Sequence, residues 1–291
     1  MIHRHVFHNH RLLPIEEVRL SPGQAGLFNG WGLFTTLRIA QGEPFAFERH
    51  WRRLQNDSAR THCPLPCEPE TLRQEIRELA RINHAHECAA RVYVIWNTVG
   101  NWGSDEPFPE TDLLICTAPH PQYNAPARLM LRGDARHAVS PLAGTKVTSW
   151  LLNVWCLREA QQQGYSEVVL LNERGEVAEC TAANIFCLHD GRVLTPPLSS
   201  GCLEGITRSV LLEIAPGAGY PVEEKVLRPE DLFAAQEVFI SSTNRNLLSV
   251  SEVAGHATTH PLGPAVQELE KAFEAYIANY VASHAPVSSM G

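Results

Sequence analysis

The feature that most constrains the fold is a proline-rich break near the middle of the chain. Residues 118–128 read APHPQYNAPAR, and each of the three prolines lacks a backbone donor and disfavours a continuing helix or central strand. Segments with strand and helix patterns lie on both sides of this break. We therefore predict a smaller domain at residues 1–118, a linker at 119–127 and a larger domain at 128–291.

Each part mixes strands with helices. In the first part, ARVYVIW predicts a buried strand, and apolar residues at helical spacing predict a helix over residues 69–83. In the second, a helix is expected through VWCLREAQQQ, another begins at Gly205, and a long one runs from about Pro264 to Ser283. The regular alternation and the Gly-x-Gly-x-x-Gly motif of a Rossmann domain are missing, so the predicted class is α+β.

Composition limits the classes of function that this chain can have. The chain has 291 residues, 44% of them apolar, and a formal charge of −8 without a basic stripe, which argues against a nucleic-acid partner. No apolar run reaches the length of a membrane span, and the first residues, MIHRHVFHNH, do not resemble a signal peptide. Eight cysteines without a C-x-x-C pair indicate reduced, buried thiols. We expect a cytoplasmic protein.

The histidines of the first ten residues invite a metal-site interpretation. His3, His5, His8 and His10 lie close together, but few acidic residues and no cysteine lie near them in the sequence. The polar face of an edge strand is the favoured interpretation. We predict no metal site.

Lys146 is the most unusual charged residue of the chain. Of the 24 basic residues only three are lysines, and Lys225 and Lys271 have acidic neighbours. Lys146 lies in AGTKVTSWLL, with no charged residue within five positions. Arginine can replace lysine as a charge but not as a nucleophilic amine. Lys146 is therefore either an amine with a chemical role or a side chain that reaches water from a strand end.

A stretch that starts 29 residues later gives Lys146 a context. It reads GEVAECTAANIFCLHDGRVLTPPLSSGCLEGITRSVLLE, and it resembles the signature of the fold-type IV pyridoxal-phosphate enzymes, the class IV aminotransferases. The matching elements are Glu179, Asn184, Phe186, Thr195 and Gly205-Ile206-Thr207-Arg208. LFNGWGLFTTLR, ERHWRRLQNDSA, GTK and EVFISSTNRNLLSV extend the resemblance over about residues 25–255.

The resemblance implies a two-domain fold of the D-amino acid aminotransferase type, with the active site between the domains, a homodimer, and pyridoxal 5'-phosphate as cofactor. Lys146 would bind the cofactor covalently and act as the catalytic base, and Glu179 would hold the protonated ring nitrogen. The implied phosphate ligands and their support are Arg53, Gly205, Ile206, Thr207, Thr243 and Asn184.

The reaction is less constrained. Phe34-Thr35-Thr36 and the Glu179-Cys180 run resemble aminodeoxychorismate lyases, which release pyruvate and 4-aminobenzoate. Against the lyase, Asn97 follows ARVYVIW where many lyases carry an arginine, and the next loop, which contains Trp102, is neutral to acidic. We predict an aminotransferase that moves an amino group between an amino acid and a 2-oxo acid by a ping-pong mechanism. The lyase and a non-catalytic cofactor-binding protein are the alternatives.

Residues expected to contact the substrate lie in several segments. They are Trp31, Phe34, Thr36, Asn97, Asn244 and Arg245.

Overall fold

The computed structural model describes residues 1–20, 25–97 and 109–284. The chain divides into two units. Unit 1 comprises Met1–His120, Lys146–Ser149 and Ile277–Gly291, and unit 2 comprises Pro121–Thr145 and Trp150–Tyr276. The division at His120 falls within the predicted linker at 119–127. The lysine segment 146–149, which we expected in the larger domain, packs with unit 1.

Unit 1 is built on one six-stranded sheet with the order β2-β1-β6-β5-β3-β4. Its strands are β1 (His5–His8), β2 (Arg11–Pro14), β3 (Gly32–Ala40), β4 (Glu43–Pro44), β5 (Cys88–Trp96) and β6 (Thr111–Pro119). All the pairings are antiparallel. The prediction of an edge strand for the histidine cluster is wrong, because β1 pairs with both β2 and β6.

Two helices, α2 (Phe47–Thr61) and α3 (Pro69–Ile82), pack on one face of this sheet. The short helix α1 (Ala25–Asn29) contacts β5. The core is formed by apolar residues of β3, β5 and β6 with Leu54 of α2 and Leu72, Ile76 and Leu79 of α3. Each such fully buried side chain contributes on the order of 1.5–3 kcal/mol. The helical spacing read from 69–83 is therefore confirmed.

In unit 2, a second sheet of nine strands has the order β12-β11-β10-β13-β14-β7-β8-β9, and β15 pairs with β14. The strands are β7 (Ala127–Arg132), β8 (Glu167–Leu171), β9 (Val177–Cys180), β10 (Asn184–His189), β11 (Arg192–Thr195), β12 (Val222–Glu224), β13 (Glu237–Ser242), β14 (Asn246–Val253) and β15 (His256–Ala257). The sheet mixes parallel and antiparallel pairs.

The helices of the second half are α4 (Leu151–Gln162), α5 (Ile206–Ile214), α6 (Pro229–Phe233) and α7 (Pro264–His284). Gly205 is the N-cap residue of α5, as the sequence predicts, and α7 begins at Pro264. Among the described residues, no helix is both long and apolar enough to cross a bilayer. Seven of the eight cysteines are buried and all are free thiols, which agrees with the interpretation from the sequence.

Candidate active site

The backbone around Lys146 is fixed along strand β3. The N–H of Phe34 donates to the carbonyl of Lys146 at 3.1 Å, and the N–H of Thr148 donates to the carbonyl of Gly32 at 2.9 Å. Leu33 and Val147 form an isolated antiparallel bridge. The segment therefore extends the sheet locally, and these bonds involve backbone atoms only.

The amine of Lys146 lies over an aromatic ring. Its Nζ atom is 4.4 Å from the centroid of the Phe34 ring, within the range of a cation–π contact. The backbone N–H of Lys146 donates to Oδ2 of Asp57 at 3.3 Å. The half-buried lysine thus has an apolar ring at its amine and an acid at its backbone.

Gly144, the glycine of AGTK in unit 2, has a conformation and surroundings that require a glycine. Its φ is +72°, and a β-carbon at this position would approach the carbonyl oxygen of Cys202 to 2.9 Å. A larger residue would be strained in this conformation and would also press on that carbonyl.

Helix α2 presents a buried polar face to β3. His50, Arg53 and Asp57 recur at helical spacing and are each less than 10% exposed. Oγ1 of Thr35 lies 2.7 Å from Nδ1 of His50, and the Arg53 guanidinium donates to the same hydroxyl at 2.9 Å. Thr35 therefore joins the two side chains.

Electrostatics define the protonation state of this cluster. Burial lowers the pKa of His50 well below its ordinary value, and the charges of Arg53 and Lys146 lower it further. The neutral imidazole accepts a hydrogen bond from the Thr35 hydroxyl, whose oxygen in turn accepts one from Arg53. Burial raises the pKa of Asp57, although Arg53 and the N–H of Lys146 oppose that rise.

Arg91 is a residue of this region that we did not identify from the sequence. On β5 it is the register partner of Thr36, to whose Oγ1 its Nε donates at 3.2 Å. It also donates to the hydroxyl of Tyr93 at 3.1 Å, and its Cζ lies 5.7 Å from the Phe34 centroid. The sequence feature that could have identified Arg91 is its place in the middle of an otherwise apolar strand.

Asn97 anchors the end of β5. Its amide donates to the carbonyl of Pro109 at 3.1 Å and to Oδ2 of Asp112 at 2.8 Å. Its buried Oδ1 has no hydrogen-bond partner within the described ranges. Trp102, which we discussed as a pocket residue, lies outside the described residues.

Trp31 is held at two edges. Its Nε1 donates to the carbonyl of Thr61 at 2.9 Å, and its ring meets that of Trp96 edge-on at 4.4 Å. The side chain remains 40% exposed, so one face of the indole is accessible to a ligand or a partner chain.

In unit 2, two residues of the signature hold a single backbone unit. The N–H of Leu203 donates to Oε2 of Glu179 at 3.1 Å, and the amide of Asn184 donates to the carbonyl of Leu203 at 2.9 Å. Glu179 lies at the end of β9 and Asn184 at the start of β10, so the turn between these strands sets their spacing. Their common function is to fix the segment that leads into α5.

Gly205 is required by this arrangement. A β-carbon at this position would collide with Oδ1 of Asn184. Gly205 also provides no side-chain cap for α5, whose first intrahelical bond runs from Ser209 N–H to the Gly205 carbonyl at 2.8 Å. The earlier N–H groups, including those of the buried Ile206 and Thr207, have no acceptor within the helix, and N–H groups at the start of a helix favour an anion.

Polar atoms without hydrogen-bond partners lie at the end of β13 and in the loop that follows it. Among the described residues, the hydroxyls of Ser241 and Ser242 and Oδ1 of Asn244 are buried without a hydrogen bond. Thr243 lies between them and is half-buried. A cluster of this kind is typical of a site that a polar ligand completes.

Arg245 has a well-defined partner in unit 2. Its guanidinium donates to Oε2 of the buried Glu167 at 2.9 Å and to the carbonyl of Ala182 at 3.0 Å. Glu167 also accepts from the hydroxyl of Thr181. These contacts brace the turn between Glu179 and Asn184. A contact of Arg245 with substrate stays a prediction.

The N-terminal histidines pair with other groups. His3 bonds to Thr117, His8 to Asp112 and His10 to Glu75. Within the part of the chain that the structure describes, no group of three or more His, Cys, Asp or Glu side chains is arranged for a metal ion.

Comparison with known proteins identifies the family. A family model described as amino-transferase class IV matches residues 32–253. A putative branched-chain-amino-acid aminotransferase of Methanocaldococcus jannaschii is 27% identical over 281 residues, which cover 92% of this chain and 95% of that protein. A D-alanine aminotransferase of Listeria innocua is 27% identical over 273 residues, covering 91% of this chain and 93% of that one.

A solved structure supports the same conclusion. The branched-chain aminotransferase of the archaeon Thermoproteus uzoniensis, solved with norvaline, has a TM-score of 0.86 at 25% identity and covers 96% of this chain and 98% of that chain. The fold class predicted from the sequence, a two-domain α+β fold of type IV, is confirmed.

Proposed function

We propose that this chain, which belongs to the class IV aminotransferase family, moves an amino group between an amino acid and a 2-oxo acid with pyridoxal 5'-phosphate as cofactor. The observation that carries the proposal is Lys146, whose backbone is fixed to β3 and whose amine lies over Phe34. An arginine could supply charge at that place but not a nucleophilic amine.

The chain has groups that fit this cofactor. The start of α5 has N–H groups but no side-chain cap, and the loop at 241–244 holds buried hydroxyls without partners. Both features suit a phosphate. Each carboxylate oxygen of Glu179 accepts a hydrogen bond, and a carboxylate has further lone pairs for a ring N–H.

We assign the following roles to these residues. Bound pyridoxal phosphate supplies an electron sink that makes the substrate α-proton acidic. Lys146 binds the cofactor covalently and, as a free amine, moves the proton at the α-carbon. Glu179 holds the ring nitrogen. The phosphate ligands are Arg53, Thr243 and the helix start Gly205-Ile206-Thr207. Asn184 supports that helix start through its bond to the carbonyl of Leu203.

The position of Arg91 favours a substrate that carries a carboxylate. Its guanidinium is held by Thr36 and Tyr93 beside Phe34, the ring that also contacts Lys146. A fixed guanidinium is the usual partner of a carboxylate, so we propose that Arg91 binds a substrate carboxylate and that Phe34 and Thr36 line the same pocket. Trp31, Asn97, Asn244 and Arg245 stay predicted substrate contacts.

The lyase alternative is weakened at one point. Thr35, the middle residue of the lyase-like Phe34-Thr35-Thr36, bonds to His50 and Arg53 on the α2 side of the sheet. Its presence thus has a structural explanation that is independent of the reaction. Because the two relatives described above are aminotransferases, we propose that amino acids are the donors.

We also propose that the functional protein is a homodimer. Helix α4 exposes apolar side chains at Leu151 (80%), Val154 (52%) and Trp155 (44%). A surface helix of a monomer usually places polar residues at such positions, and a contiguous apolar face is typical of an interface.

The test is a spectroscopic titration of the purified protein reconstituted with pyridoxal phosphate. L-leucine, L-glutamate and D-alanine are added singly, and the visible band of the bound cofactor is followed. We expect one of these donors to bleach the band and a 2-oxo acid to restore it. If only aminodeoxychorismate reacts and releases pyruvate, the lyase alternative holds. A band that no donor changes would indicate a non-catalytic protein.

A further inference from the structure

Arg136 forms an ion pair with Glu179 in unit 2. Its Nε donates to Oε1 of Glu179 at 2.9 Å. The two side chains are 16% and 12% exposed, so the pair is largely removed from water. Its place in the chain, ten residues before Lys146, carries no motif that marked it in the sequence.

The arginine is itself held in place. Its NH1 group donates to the carbonyl of Ala135 at 3.1 Å, and its backbone N–H donates to the carbonyl of Leu171 at 3.1 Å. The guanidinium therefore has a fixed direction. On the other side of the carboxylate, the N–H of Leu203 binds Oε2. Glu179 is thus held at both oxygens, by a charge at one and by the backbone at the other.

Glu179 would otherwise be a largely buried, uncompensated charge. Such a carboxylate tends to turn toward water. That change would weaken its contact with a cationic ring nitrogen. A fixed guanidinium opposes it, because a charge-assisted hydrogen bond holds the carboxylate in one orientation.

We propose that Arg136 is a positioning residue that keeps the Glu179 carboxylate aimed at the cofactor's ring nitrogen, and whose charge tunes the electron demand of the cofactor. The proposal rests on the proposed function, since it concerns the same cofactor. It adds a residue that acts through Glu179 and does not itself contact the substrate.

The charge has a measurable consequence. The visible band of the lysine-bound cofactor titrates with pH, and a nearby positive charge lowers the apparent pKa of that titration. Loss of the Arg136 charge leaves either an uncompensated Glu179 carboxylate or a neutral one that no longer keeps the ring nitrogen protonated. Both outcomes make the cofactor's surroundings more negative, so the apparent pKa of the band rises.

The experiment compares Arg136→Gln, Arg136→Lys and Arg132→Gln in the holoenzyme. We expect Arg136→Gln to raise the apparent pKa of the band by about one unit, while Arg136→Lys, which keeps the charge, stays near wild type. Arg132 is the matched control, because it pairs with Glu159 at 3.3 Å and lies four residues away on β7. Its change to Gln removes the same charge without touching Glu179, and we expect no shift.

A structural role alone gives a different result. In that case Arg136→Gln and Arg136→Lys would lower the melting temperature of the cofactor-free protein and leave the titration of the folded holoenzyme at the wild-type position, which would overturn the proposal. An equal shift in Arg132→Gln would overturn it as well. Failure of the proposed function is distinct, because wild-type protein would then give no visible band.

Discussion

The surroundings of Lys146 and of Glu179 are built in different ways. In unit 2, Glu179 and Asn184 bond to the backbone of Leu203, so functional side chains also hold the chain in place. In unit 1, backbone bonds to β3 hold the lysine segment, and the Lys146 amine contributes none of them. The difference indicates that the lysine can be changed without loss of the fold, whereas the signature of unit 2 cannot.

The largest expected effect follows from this comparison. Lys146→Arg keeps the charge and the backbone bonds but removes the nucleophilic amine. We expect the transamination rate to fall about 10³-fold or more, while the melting temperature stays within about 2 °C of wild type. Rates and thermal unfolding of the same preparations measure both.

The matched control is Lys225→Arg, at an exposed position. It should change neither quantity. A melting temperature of Lys146→Arg that falls by about 10 °C would contradict the view that the lysine side chain contributes little to holding this segment.

The opposite behaviour is expected of Gly205→Ala. The added methyl group collides with Oδ1 of Asn184, which is itself bonded to the carbonyl of Leu203. We expect a loss of about 1–3 kcal/mol in the free energy of unfolding together with weaker cofactor binding. Urea unfolding and a cofactor titration measure the two effects.

Gly217→Ala provides the control, because a β-carbon at Gly217 would have no heavy atom within 4 Å. If Gly205→Ala were as stable as Gly217→Ala, the close fit between Asn184 and α5 would not be a constraint.

The two regions also differ in how far they can be read from the sequence. Glu179, Asn184 and Gly205 were identified from the resemblance of residues 179–208 to the signature of a known family. Arg91 was not, because its pairing with Thr36 is set by the register of β3 and β5. Neither was Arg136, since no local pattern indicates an ion pair with a residue 43 positions away.

Long-range contacts also limited what could be predicted for the N-terminal segments. Arg53 was identified from the family resemblance, but the buried polar face that it shares with His50 and Asp57 on α2 was not predicted. The strand of the histidines was recognised, but its place inside the sheet depends on a long-range pairing with β6. Sequence patterns predict elements and local motifs, and pairings over long distances require the fold.

A smaller effect is expected for Thr35, which joins side chains rather than backbone. Thr35→Val keeps the shape and removes the hydroxyl that links His50 to Arg53. We expect cofactor affinity to fall about tenfold, because one charge-assisted bond that aims Arg53 is lost. Thr35→Ser restores a hydroxyl and should restore affinity.

Thr61→Val is the matched control on α2. Its hydroxyl is also buried and donates to the carbonyl of Asp57 at 2.8 Å, away from Arg53. We expect Thr61→Val to change the free energy of unfolding more than the affinity for the cofactor. Equal affinities of Thr35→Val and Thr35→Ser would contradict the proposed role of the hydroxyl.

The smallest effect concerns pH. Because the pKa of His50 is lowered by burial and by two cations, the folded protein keeps the imidazole neutral where the unfolded chain takes up a proton, below about 6.5. The unfolded state then binds more protons, so His50 contributes stability that is present above about pH 6.5 and is lost as the pH falls below it. Asp57, the carboxyl on the same face, acts oppositely but at lower pH, since its pKa is raised from 3.8.

Urea unfolding at about pH 7.5 and pH 5.5 measures this contribution. Between these values the wild type should lose about 1 kcal/mol more than His50→Gln, which cannot titrate. The comparison uses the difference between two pH values within each protein, so a general destabilisation by the substitution cancels. If both proteins lose the same free energy, His50 is protonated in the fold, and the Thr35 hydroxyl cannot be its donor.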